Sequence, residues 1–208
     1  MQLISPYNSA SEALSSLDNG GRFFNFLTDA NDGEIEAEEL GKVAGVYKDQ
    51  QKMMLFLELS TEVLAASEKQ QITSTLSADL QLAMSDYKPI RLAPKEAKEL
   101  APIGSSAIIT GVPKFIEGKS DFKGFIIVPI MAGSAMTMVM IPMIEQYNVY
   151  HLTDDISNKD FIIAHAKNQA KLPEVKISCG GIIKELSANK SGNGEKDKFL
   201  EALYYTIV

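Results

Sequence analysis

Two periods of hydrophobicity divide the chain. From about Ser9 to Leu100 apolar residues recur at helical spacing, and beyond about residue 105 they come in short runs of strand length. In the first part, "SASEALSSL" opens with serine caps and "GGRFFNFL" predicts a short apolar helix. "AEELGKVAGVYKDQQKMMLFLELSTEVLAASE" accommodates one long helix or two. Gly41 and Gly45 are four apart, so they share a helix face and let a neighbour approach closely. The cluster "MMLFLEL" (53–59) is apolar all round, which predicts burial beneath other elements. "TSTLSADLQLAMSDY" predicts another helix, stopped before Pro89, and "APKEAKELAPIG" a short one between prolines.

The second part reads as strands: "SAIITGVPKFIEG", "FKGFIIVPIM", "AMTMVMIPMI", "YNVYHL", "DFIIAHAK", "VKISCGGIIKELSA" and "KFLEALYYTIV", separated by clusters of Gly, Asn, Asp, Ser and Lys. Glycine within two of these runs marks bends or bulges. The expected fold is therefore α+β, with a helical module over 1–102 and a mostly antiparallel β barrel or sandwich of six or seven strands over 103–208.

Residues 124–144 contain no charge over 21 positions, formally enough for a membrane-spanning helix. Pro129, Pro142 and "AGSA" (132–135) interrupt the run, and a hairpin of two buried strands explains it better. Proline donates nothing to a sheet ladder, so Pro129 and Pro142 belong at edges, ends or bulges. Met136, Met138 and Met140 would then share one face, as core or as an adaptable binding surface.

Charge narrows the partners. The net charge is −7, and the whole excess lies in the first half, since residues 101–208 are balanced. The only arginines are Arg22 and Arg91, so the chain lacks the basic face that phosphate backbones require, and no nucleic-acid partner is expected. A lone cysteine, Cys179, excludes an internal disulfide and suits a reducing compartment. "MQLISPYNSASEAL" has neither a basic segment nor a long apolar one, so no signal peptide or membrane span is expected, and the location is read as cytoplasmic.

The densest chemistry is "TDANDGEIEAEEL" (28–40), where Asp29, Asp32, Glu34, Glu36, Glu38 and Glu39 surround Gly33. Calcium takes six to eight oxygen ligands, supplied in a helix-loop-helix hand by twelve residues with glycine sixth and glutamate twelfth. With Glu39 twelfth, Gly33 is sixth, Ile35 eighth, Asp32 fifth and Thr28 first. Phe23, Phe24 and Leu27 fall where an entering helix places its apolar residues, and Leu40 and Val43 continue an exiting one. "FFNFLTDANDGEIEAEELGKVAGVY" thus resembles an EF-hand over about an eighth of the chain. The resemblance implies calcium as ligand, drawn from Thr28, Asp29, Asn31, Asp32, Glu34 and Glu39.

The loop departs from that pattern at its third place, where Ala30 offers no side-chain oxygen. If Asp29 and Asn31 take the first and third roles instead, the loop is one residue short. Either register implies weakened binding. EF-hands come in pairs, and 84–100 is a possible ligand-free partner. The alternative reading is a polar corner in which "NDG" makes the turn and the acids offset the positive end of the next helix.

Elsewhere, His151, Asp154, Asp155 and His165 are the groups an unrecognised enzyme or a zinc or iron site would use, although no close histidine spacing marks one. "SGNG" (191–194) reads as a hairpin loop rather than a phosphate cradle. The expected function is a non-enzymatic binding or interaction protein with an unidentified protein or small-molecule ligand. The alternatives are an enzyme with a site near His151 and His165, or an assembly protein that forms homo-oligomers through the methionine-rich hairpin.

Overall fold

The structure is a computed structural model that describes residues 1–21, 28–116, 124–132, 135–154, 160–188 and 197–208. It divides into two compact units. One comprises Gln2–Ile90 with Tyr204–Thr206, and the other Met1, Arg91–Leu203 and Ile207–Val208. The fold is α+β, as expected. The division falls at Ile90/Arg91 rather than at 102/103, because the short helix after Ala93 packs on strands of the second unit.

The helical unit contains β1 (Gln2–Leu3), α1 (Ala10–Leu17), α2 (Ala37–Ala44), α3 (Gln50–Ser60), α4 (Ala66–Ser74) and α5 (Ala78–Asp86). Ser9 caps α1 by accepting the Glu12 N–H. The long apolar stretch is split: Gly45 closes α2 in the left-handed region and Asp49 caps α3 through the Lys52 N–H. α4 fills a part of the sequence where helical periodicity is weak, since only its Ile72 is buried. α3 is the buried centre, with Met53, Met54, Leu55, Phe56, Leu57 and Leu59 all inside. Gly41 permits the expected close approach, since a methyl there would lie 2.8 Å from Met53 Cε. Tyr204 lies against this core, its ring edge-on to Phe56 and its hydroxyl donating to Ala44 O at 2.9 Å.

The second unit begins with β2 (Ile90–Leu92, of which Ile90 counts with the first) and α6 (Pro94–Leu100). The strands β3 (Ser106–Phe115), β4 (Gly124–Ala132) and β5 (Ala135–Pro142) follow, then the short α7 (Met143–Gln146). Next come β6 (Tyr147–Thr153), β7 (Asp160–Ala166), β8 (Ile177–Ala188) and β9 (Asp197–Ile207). Every predicted run became a strand. The sheet runs β9-β7-β6-β3-β8-β4-β5, with β2 beside β3 and β9 also paired to β8. Antiparallel pairs predominate, but β7 and β9 are parallel, so the sheet is mixed. Ile116, Met143, Val149, Ala164, Leu186 and Phe199 form a core cluster.

The uncharged run is the hairpin β4–β5, in register from Phe125↔Pro142 to Ala132↔Ala135. Pro142 ends its strand, and Pro129 lies beyond the Gly124–Phe125 stretch where β4 meets β8. Among the described residues no helix is long and apolar enough to cross a membrane. Met140 is exposed, and the side chains of Met136 and Met138 lie outside the described set.

Candidate functional site

The acidic loop is organised by a residue outside it. Asp18, at the end of α1, accepts the Gly33 N–H on Oδ2 at 2.9 Å and the Asp32 N–H on Oδ1 at 3.2 Å. Its carbonyl takes the Asn31 N–H, and Asn19 bridges to Ala30. Asn31 (φ 59°) and Gly33 (φ 89°) both lie in the left-handed region, which turns successive amides inward toward that carboxylate. "NDG" therefore does make the turn. Asp32 Oδ1 accepts the Glu34 N–H at 3.0 Å, a local turn contact.

Glu39 is fully buried, and both its oxygens accept backbone amides: Oε1 from Gly20 at 2.5 Å and Oε2 from Glu36 at 2.9 Å. The second contact is half of a capping box at the start of α2. Burial raises its pKa above the usual carboxylate range, and Asp18 and Asp32 push it the same way against the two hydrogen bonds. Lys42 completes the joint by donating to Asn19 O at 2.7 Å and Gly20 O at 2.9 Å.

The six predicted ligands share one loop but do not face one point as they stand. Asp29, Asn31, Asp32 and Glu34 are exposed, Glu39 is committed inside, and Thr28 is buried with an Oγ1 that has no hydrogen-bond partner among the described residues. Among the described residues no group of three or more acidic, histidine or cysteine side chains is arranged around a metal position. The expected entering-helix residues Phe23, Phe24 and Leu27 lie outside the described residues, as do Asp155 and "SGNG". The loop is bridged to the turn between α4 and α5. Ile35 bridges to Leu76, with Ile35 N–H to Thr75 O at 2.7 Å and Ser77 N–H to Ile35 O at 2.9 Å.

The histidines do not converge. In the β6–β7 register His165 lies opposite Asn148, three residues from His151, so the two rings project from opposite faces of the sheet. His151 is half exposed and rests against Asp160. His165 is buried: its Nε2 meets the Tyr150 hydroxyl at 3.3 Å, its Nδ1 meets Ala166 O at 3.1 Å, and Tyr150 accepts the Leu172 N–H at 3.1 Å. The Nδ1–H tautomer satisfies all of these atoms, which is the arrangement of a packed core histidine. Desolvation lowers its pKa, and the chain's amino group acts the same way. Cys179 is likewise buried, and desolvation pushes its thiol up to about 12, far from reactive. Asp154 lines a cleft with Arg91 and Lys176, to which neither histidine contributes.

Sequence reasoning missed Asp18, whose signal was faint: an acid followed by "NGG" at a helix end. No protein-family model matches the chain, and no curated protein is detectably similar to it.

Proposed function

We propose that the chain is a non-enzymatic binding or interaction protein. It combines an EF-hand-like helical unit, whose 28–39 loop binds calcium weakly, with a β unit in which β9, β7, β6, β3 and β8 form a small barrel. The observation that carries the reading is the bridge between Ile35 and Leu76. Ile35 holds the eighth place of the loop, and it joins that loop to the turn between α4 and α5, so two helix-turn-helix corners are coupled through their connections. The second connection, residues 75–77, is too short to surround an ion, which leaves one site. The pairing of β8 with both β3 and β9 supports the barrel, because it leads from β9 through β7, β6 and β3 back to β9. The buried, free Cys179 fits a cytoplasmic setting.

Crowded charge favours a cation at the loop. Glu36 has a raised pKa, first from desolvation and then from Glu38, Glu34, Asp32 and Asp29. A divalent ion would offset that repulsion, and Thr28 Oγ1, which has no hydrogen-bond partner among the described residues, offers an oxygen at the first place. Weakness follows from Ala30 at the third place and from the two amides that already occupy Glu39. The expected dissociation constant is therefore about 10⁻³ M, the weak end of such loops.

Thermal melts in calcium, in magnesium at matched ionic strength and in chelator test this. At roughly ten times the dissociation constant, mass action adds about 1.4 kcal/mol and raises Tm by roughly 3–6 °C. A variant carrying Asp29→Asn and Glu34→Gln, both exposed, is expected to lose the calcium response, while its calcium-free Tm is no lower than that of the unaltered chain. Identical curves in calcium and chelator would remove the ion from this reading.

A further inference from the structure

The β unit contains a cleft that takes in Asp154 but neither histidine. Open, and about 330 Å³ in volume, it is lined by Arg91, Leu92, Thr110, Asp154 and Lys176, among others. It forms where strands begin and end. β6 stops at Thr153, paired to Val112, while β8 starts at Ile177, paired to Gly111 on the other edge of β3. Asp154 and Lys176 are the residues just beyond those ends. Arg91 and Leu92 come from β2, which also pairs with β3. Gly111 cannot carry a side chain at this junction, since a methyl there would lie 2.6 Å from Thr153 O.

Two cations against one carboxylate leave the cleft net positive in a chain of overall charge −7. Arg91 is one of only two arginines. None of Arg91, Asp154 and Lys176 is without a partner in the protein, so their ordering is partly in place before a ligand arrives. Thr110 Oγ1 and Ser178 Oγ are 3.1 Å apart, and only one of the two hydroxyls donates to the other. The remaining hydroxyl hydrogen is left to serve another acceptor. Leu92 supplies an apolar wall, and the volume sits at the low end of the range for small-molecule sites, about 300–1,000 Å³.

We propose that this cleft binds a small organic anion, a carboxylate or phosphate held between Arg91 and Lys176 with a hydroxyl donor from the Thr110–Ser178 pair. Guanidinium and ammonium donors to an oxyanion are the strong class of hydrogen bond. Asp154, also in the cleft lining, suits a ligand that carries a donor group as well.

The test is two-dimensional NMR of the full chain titrated with inorganic phosphate and with benzoate, each against sodium chloride at matched ionic strength. Saturable shifts at the amides of Leu92, Thr110, Gly111 and Lys176 are expected with at least one probe, and which probe acts distinguishes a phosphate from a carboxylate ligand. Arg91→Gln combined with Lys176→Gln is expected to weaken binding at least tenfold, while Lys114→Gln, an exposed lysine of β3 outside the cleft, leaves it unchanged. Shifts that are linear or scattered over the surface in the unaltered protein, or affinity retained by the double variant, would overturn the proposal. Calcium has no part in this readout, so the two sites stand or fall separately.

Discussion

Asp18 holds Gly33: the carboxylate at the end of one helix accepts the amide at the tightest point of the acidic loop, at 2.9 Å, and takes the neighbouring Asp32 amide as well. The loop that concentrates negative charge is therefore tied down by another negative charge, through its backbone rather than its side chains. Charge-assisted hydrogen bonds of this kind contribute roughly 1.5–3 kcal/mol each when partly buried. Asp18→Ala leaves two inward amides without an acceptor and is expected to cost about 2–3 kcal/mol in urea denaturation. Asp18→Asn keeps one acceptor oxygen and is expected to cost about half as much. A loss below about 0.5 kcal/mol for the alanine variant would mean that solvent satisfies those amides instead.

The contrast between the two units explains how much the sequence disclosed. Strand runs were legible because alternation and turn residues are local, and all seven became strands. In the helical unit the break at Gly45 and the cap at Asp49 were ambiguous, since helix propensity runs through them; tertiary packing of α3 decides the matter. The links from Asp18 to Gly33, from Ile35 to Leu76 and from Tyr204 to Ala44 span 15, 41 and 160 positions, and no local pattern encodes them. The candidate loop was visible from its acids, yet the direction in which those acids point depends on amides that only the folded turn presents.

Gly181 and Gly104 separate two reasons for a glycine. A methyl on Gly181 would lie 2.2 Å from Glu201 O, where β8 passes β9, so Gly181→Ala must push two strands apart. The expected cost is about 3 kcal/mol or more, at the upper end of overpacking. Gly104 has φ +88° and open space around it, so Gly104→Ala meets only left-handed backbone strain, about 1–2 kcal/mol. Equal losses in chemical denaturation would contradict the close approach of β8 and β9.

Glu39 and Glu36 set the acid response of the helical unit. Both have folded-state pKa values above the ordinary carboxylate value of 4.5. The folded state therefore binds protons more readily than the unfolded chain across that interval. Their contribution to stability is fully present below about pH 4.5 and is lost as pH rises through the folded values. Hydrogen exchange of α2 amides is expected to slow, beyond the intrinsic pH effect, on going from pH 7 toward pH 5. Glu39→Gln removes the Glu39 part of this gain and leaves the Glu36 part. An unchanged pH profile in that variant would show that Glu39 keeps an ordinary pKa.

His165 gives the β unit the opposite slope. Burial beside Tyr150 lowers its folded pKa below 6.5, so the unfolded chain binds the proton more readily. The stability it contributes is present above pH 6.5 and is lost as pH falls through the depressed folded value. Protonation also places a second N–H on the imidazole, opposite the Tyr150 hydroxyl that donates to it. Amides of β6 and β7 are therefore expected to lose protection, after intrinsic correction, between pH 7 and pH 5, while α2 gains it. Tyr150→Phe deprives the Leu172 amide of its acceptor and His165 of its donor, at an expected cost of about 1–3 kcal/mol. The same variant leaves the imidazole without the Tyr150 donor that favours its neutral form, so the acid-induced loss at β6 and β7 is expected to shrink. If that loss persists in full, desolvation of His165 rather than its hydrogen bond from Tyr150 sets the pH dependence of the β unit.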